Sequence, residues 1–190
     1  MLIPVVIQHR HVHLSPADQA RLFGPRAVLK PVAGVGHRGQ VVYHETVAIA
    51  GKEGLFASVR VAGPCREKTQ VELSAAEAAA LGLAAPVRVS GDTARAASCG
   101  LSGPAGRIRS RACAIIPARH VHCGVRDARR LGLAQGDVVS LVVPGRPELL
   151  IPGVVVRVHP TFRLAFHLTD DEASAYWLSS GDAVRLAPRR

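Results

Sequence analysis

The chain reads Arg10-His11-Val12-His13 near its start and Arg119-His120-Val121-His122 past its middle, the second copy 109 residues after the first. In an extended strand residues i and i+2 face the same side about 7 Å apart, so each His-Val-His aims two imidazoles one way and turns its valine the other. A helix would splay the pair around its axis. Two imidazoles side by side on a strand make half of a zinc site, and the chain carries that half twice.

The flanks repeat as well. Ile3-Pro4-Val5-Val6-Ile7 leads into the first copy and Ala114-Ile115-Ile116-Pro117 into the second, both apolar and β-prone. A short helical stretch follows each copy. In Ser15-Pro16-Ala17-Asp18-Gln19-Ala20-Arg21-Leu22-Phe23-Gly24, Ser15 suits the N-cap and Pro16 the first turn; Gly124 to Leu131 is the counterpart, closed by Gly132 as Gly24 closes the first. Strand, ligand pair and short helix, used once in each half, predict an internal duplication with two similar domains facing one shared site.

Short apolar segments recur at 41–50, 57–62, 69–73, 86–90, 112–116, 138–143, 149–158, 162–168 and 183–186, with glycine and proline between them. Helical patterns are brief, at 15–23, 74–82, 125–131 and 170–178, and Ser74-Ala75-Ala76-Glu77 reads as a capping box. This pattern predicts a mainly β fold: two small β-barrel domains capped by short helices, related by internal duplication, with the active site at their interface. The first half spans 1–92 and the second 111–190. The Gly-, Ala- and Ser-rich stretch 93–110 reads as the connection.

Composition narrows the partners. The net charge is +10, and apart from Lys30, Lys52 and Lys68 the 24 basic residues are arginines, which bind phosphate and carboxylate with a planar fork. An anionic ligand follows. Nucleic acid is the other partner of a basic protein, but the arginines are scattered, aromatics are 4%, and no helix-turn-helix or RNA-binding signature appears. The apolar runs are of strand length, which argues against a membrane span. Four cysteines without Cys-x-x-Cys spacing, and no apolar leader, fit an intracellular protein with free thiols.

Between the two copies, Gly63-Pro64-Cys65-Arg66-Glu67-Lys68-Thr69-Gln70-Val71-Glu72 has a turn, a basic pair and a strand that puts Gln70 and Glu72 on one face. A carboxylate there completes a His-His-Glu site with His11 and His13. The second pair needs a ligand of its own. His167 and His159 are the candidates, His167 fitting better because Phe162 to His167 is strand-like whereas His159 adjoins Pro160. Cys123, next to His122, is a possible thiolate ligand or nucleophile, although its opposite-facing position favours a buried core thiol.

These same stretches resemble the PduL-type phosphate acyltransferases, the phosphate propanoyltransferases. The motifs are Arg-His-Val-His-Leu-Ser at 10–15, Gly-Pro-x-Arg-x-x-Thr-Gln-Val-Glu at 63–72, Ala-Pro-Val-Arg-x-Ser-Gly-Asp at 85–92, Ala-Arg-His-Val-His at 118–122 and His-Leu-Thr-Asp-Asp-Glu-Ala at 167–173. The resemblance runs from about residue 3 to about 186. It implies reversible transfer of a short acyl group, propanoyl or acetyl, between CoA and inorganic phosphate, as in propanediol degradation. It also implies two zinc ions, CoA as co-substrate and a homodimer. Carried over by motif, His11, His13 and Glu72 hold one zinc, His120, His122 and His167 the other, and Arg66 and Ser90 line the phosphate position. Gln8-His9 before the first copy and Cys123-Gly124 after the second depart from the family pattern.

Two other functions fit parts of the pattern. A di-zinc hydrolase acting on a thioester or phosphoester would use the same ligands to activate water. A basic scaffold or nucleic-acid module would need no metal. The first strand begins by about Ile3, which leaves no room ahead of it for the amphipathic extension of relatives packaged in bacterial microcompartments; the expected location is cytoplasmic.

Overall fold

The computed structural model describes residues 1–37 and 40–188. In chain order the elements are β1 (Ile3–Gln8), β2 (His11–His13), α1 (Pro16–Phe23), β3 (Pro31–His37), β4 (Gln40–Ala50), β5 (Leu55–Gly63), β6 (Gln70–Glu72), α2 (Ala75–Ala80), β7 (Val87–Arg88), β8 (Ala97–Gly103), β9 (Gly106–Pro117), β10 (His120–Cys123), α3 (Val125–Leu131), β11 (Val138–Val143), β12 (Arg146–Val158), β13 (Ala165–Thr169), α4 (Asp170–Ala175) and β14 (Ala183–Leu186). Strand dominates, and the helices are short. Among the described residues no helix is long and apolar enough to cross a membrane.

Two compact units form: Arg10–Pro117, and Met1–His9 together with Ala118–Arg190. In the first, strands pair around a closed ring in the order β2, β5, β4, β8, β9, β6 and back to β2, with β3 added beside β4 and β7 beside β9. In the second the ring is β1, β13, β10, β12, β11, β14 and back to β1. Closing each sheet on itself removes the exposed edges that a short-stranded sheet would otherwise present.

Each ring is filled by one face of its strands. Val12, Leu14, Val47, Ile49, Val59, Val61, Val71 and Leu101 form the core of the Arg10–Pro117 unit. Ile3, Val5, Val121, Ile151, Val156, Phe166, Leu168 and Val184 form that of the other. Val12 and Val121, the middle residues of the two His-Val-His triplets, are both fully buried. The helices start where local chemistry dictates. The Ser15 side chain accepts from Asp18 N–H at α1, and both Ser74/Glu77 at α2 and Thr169/Glu172 at α4 form reciprocal capping boxes.

The stretch 93–110 is no connection: it carries β8 and the opening of β9, a hairpin inside the first ring. Its glycines serve close packing rather than flexibility. A Cβ on Gly103 would lie 2.4 Å from the Leu22 carbonyl oxygen, and one on Gly106 2.8 Å from that of Arg21, so the C-terminal end of α1 rests directly on the hairpin's backbone. The second difference concerns β1. It leaves the chain's first half to pair with β13 and β14, so the units divide at residues 9/10 and 117/118 instead of between 92 and 111.

Candidate active site

The strand register places the candidate ligands. In the first unit β2 runs antiparallel to β6, with His11 opposite Glu72 and His13 opposite Gln70. In the second unit β10 runs antiparallel to β13, with His120 opposite His167 and His122 opposite Ala165. Cross-strand partners on one face lie close enough to share an ion, and two groups result. One potential donor atom from each of His11, His13 and Glu72 lies within 4.8 Å of the others, and the same holds for His120, His122 and His167. His159 stays outside the second group, its Nδ1 2.8 Å from Thr161 Oγ1.

Both groups have the character of metal sites. His120 Nδ1 donates to the Ala118 carbonyl at 2.9 Å; since a carbonyl only accepts, the proton sits on Nδ1 and Nε2 keeps its lone pair. The Nε2 atoms of His122 and His167 are buried, and the His122 ring stacks on Phe162 with centroids 3.8 Å apart and planes 21° apart. In the first group, Nδ1 of His13 is buried without a hydrogen-bond partner, a state that a coordinated cation relieves. Three imidazoles in one place and two with a carboxylate in the other are donor sets that suit zinc with one position left open.

Electrostatics act strongly on two members of the first group. Burial, with the charge of Arg66 and the His11 imidazole, holds the His13 imidazole far below its ordinary range, at about 3, against the pull of Glu72. Burial pushes the Glu72 carboxyl up, but the His11 imidazole, the Ser90 hydrogen bond, Arg66 and His13 together outweigh it and bring it down to about 2. Both residues are thus in their metal-binding protonation states at neutral pH.

Around Glu72 the hydrogen bonds converge on one oxygen. The Ser90 hydroxyl donates to Glu72 Oε1 at 2.5 Å and accepts from Arg66 Nη1 at 3.1 Å; Arg66 Nη1 is 3.8 Å from the same Oε1. Ser90 thus directs its proton at Glu72 while its oxygen accepts from the Arg66 guanidinium. Arg66 is itself anchored by its backbone N–H to Leu14 O at 3.0 Å.

A wider constellation repeats in both units. Arg10 Nη1 is 2.6 Å from Glu77 Oε1, and Arg119 Nε is 3.6 Å from Glu172 Oε1. In each unit the arginine preceding the histidine pair thus reaches the capping-box glutamate of the helix that follows the third ligand. Sequence reasoning missed Phe162 and the Arg119–Glu172 pair. Thr169-Asp170-Asp171-Glu172 carries the capping-box pattern and signals the second; no local pattern signals a ring stacked on His122. Cys123 is fully buried and its thiol is pushed up to about 11 by burial and by Asp127, which makes it a packing residue, not a nucleophile.

A model of the phosphate propanoyltransferase family matches residues 4–179. A phosphate propanoyltransferase of Rhodobacter capsulatus is 38% identical over 185 residues, covering 97% of this chain and 86% of that protein. One from Thermotoga maritima is 40% identical over 185 residues, covering 97% and 88%. One from Shewanella putrefaciens is 39% identical over 183 residues, covering 96% and 86%.

Proposed function

This chain belongs to the phosphate propanoyltransferase family, and from that premise we propose that it transfers a short acyl group, propanoyl or acetyl, between CoA and inorganic phosphate with one zinc at each histidine group. The observation that carries the zinc reading is the convergence of three donor side chains in each unit, His11, His13 and Glu72 in one and His120, His122 and His167 in the other. The hydrolase alternative has no support: the family match covers most of the chain and is to transferases.

In the forward direction a phosphate oxygen attacks the thioester carbonyl carbon, the C–S bond breaks, and the phosphate's proton ends on the CoA sulfur. Zinc, when bound, supplies a Lewis acid that polarises a carbonyl or phosphate oxygen and eases departure of a thiolate. The chain's own residues do the rest. Arg66, about a quarter exposed, presents a guanidinium that orients phosphate and offsets its charge. Ser90 and Glu72 hold that guanidinium on one side. The surplus of arginine suits the polyanionic end of CoA. A cytoplasmic location fits Cys65, Cys99, Cys113 and Cys123 as free thiols, and a homodimer is the assembly we assign by family analogy.

The deciding experiment measures CoA release from propanoyl-, acetyl- and butanoyl-CoA with and without phosphate, before and after chelation and zinc repletion. Release that requires both phosphate and metal supports the reading. Release that continues without phosphate points to a hydrolase, and release unaffected by chelation removes zinc from the account.

A further inference from the structure

Gln70 is almost completely buried and faces the same side of β6 as Glu72. Its amide makes three hydrogen bonds. The Gly91 backbone N–H donates to Gln70 Oε1 at 2.9 Å. Of the two ends of an amide only the oxygen accepts, so this contact fixes which end is which, and the NH2 group must point the other way. There Nε2 donates to Glu72 Oε1 at 2.5 Å and to Ser90 Oγ at 3.2 Å.

With the Ser90 hydroxyl also donating to it, Glu72 Oε1 receives two short hydrogen bonds. The other oxygen, Oε2, turns towards the histidines, 3.5 Å from His11 Nε2. We propose that Gln70 is a positioning residue that divides the labour between the two oxygens of Glu72: its pinned amide occupies Oε1 and presents Oε2 as the single ligand oxygen beside His11 and His13. The inference rests on the metal reading above and extends it to how that metal is held. A carboxylate free to rotate would offer either oxygen or both, whereas one locked by an amide and a hydroxyl offers one, in one direction.

The second unit supplies the control within the same molecule. At the register position of Gln70, opposite the second histidine of the pair, it has Ala165. Substituting Gln70 therefore touches one group and leaves the other alone.

The test titrates Co2+ into the full chain stripped of metal by chelation, following visible absorption, for the wild type, Gln70→Leu and Gln70→Glu. Leu removes the amide at similar volume; Glu keeps an oxygen for Gly91 N–H but sets a second oxygen against Glu72 Oε1. Expected is a wild type that takes two equivalents, and variants in which one equivalent binds ten- to hundredfold more weakly with an altered spectrum while the other is unchanged. The unchanged equivalent shows that the loss is not unfolding; if Gln70→Leu does not fold, the isosteric Gln70→Glu decides by the same readout. Variants that bind two equivalents with wild-type affinity and spectrum overturn the inference alone. A wild type that takes up no Co2+ overturns the metal reading and the inference with it.

Discussion

Glu72 and His167 stand at the same step of two separate ladders: each lies opposite the first histidine of a His-Val-His triplet, and each precedes by two residues the N-cap of a helix, Ser74 in one case and Thr169 in the other. The arrangement that recurs in the two units is therefore larger than the triplet. It includes the partner strand, the third donor, the capping box and the arginine that reaches it.

From that repetition follows the first prediction. His11→Ala and His122→Ala each remove one of two bound zinc equivalents and leave the other, because each disrupts a group confined to one unit. Metal content per chain, measured by mass spectrometry of digested protein, should fall from two to one in both variants, and acyl transfer should fall by several orders of magnitude. Two equivalents in either variant would remove that histidine from the ligand set.

Arg66→Ala separates phosphate use from metal holding. Loss of charge-assisted hydrogen bonds to an anion costs about 1.5–3 kcal/mol, so the phosphate dependence should weaken roughly 10- to 150-fold. Glu72 retains its bonds from Ser90 and Gln70, so zinc should stay bound. An unchanged KM for phosphate would assign the anion to another cation.

Gly51→Ala probes the packing of the first unit. A Cβ at this position would lie 1.8 Å from the Leu81 carbonyl oxygen, so the turn between β4 and β5 and the end of α2 would have to part. Backbone against backbone leaves no side chain to give way, and the expected loss is at least about 2 kcal/mol, a fall of roughly 4–8 °C or more in Tm. Thermal denaturation of the chelated protein measures it; a Tm within a degree of wild type would contradict the packing described.

Metal-free protein should weaken as the pH falls. His13 is held at about 3 in the folded chain, below its ordinary 6.5, so the unfolded chain takes up a proton first and stability declines from pH 6.5 towards 3. Glu72 is held at about 2, below its ordinary 4.5, so its stabilising contribution, complete above 4.5, is lost between there and 2. Both act in the same direction. Urea denaturation of chelated protein should show a midpoint that drops through this window, and His13→Phe should remove the upper part of the drop. A flat midpoint between pH 6.5 and 4.5 would show that the His13 imidazole is not held neutral.

Much of this was legible in the sequence, and the limits have physical causes. The two triplets, the strand carrying Glu72 and the capping box at Ser74 are local patterns, set by periodicity and by backbone donors that need a partner within three residues. β8 was not legible. In Ala97-Ser98-Cys99-Gly100-Leu101-Ser102-Gly103 the period-two burial of Cys99 and Leu101 is masked by small neighbours, and the glycines that admit α1 look like linker glycines. Neither was the direction of the Ser90 hydroxyl, nor the ring of Phe162 over His122, since both are settled by segments far apart in the chain. The choice of His167 over His159 was legible only as strand preference; the β10–β13 register brings His167 opposite His120.

The passage of β1 into the ring formed by residues 118–190 has a consequence for synthesis. On the ribosome Ile3 to Gln8 emerges before anything it will pair with, while the whole of Arg10–Pro117 can close its own ring first. β1 must then wait, apolar and unpaired, until β13 and β14 have been translated. The nascent chain thus carries an open strand past a finished domain, and in that interval a chaperone that shields short hydrophobic segments has its clearest target at Ile3-Pro4-Val5-Val6-Ile7.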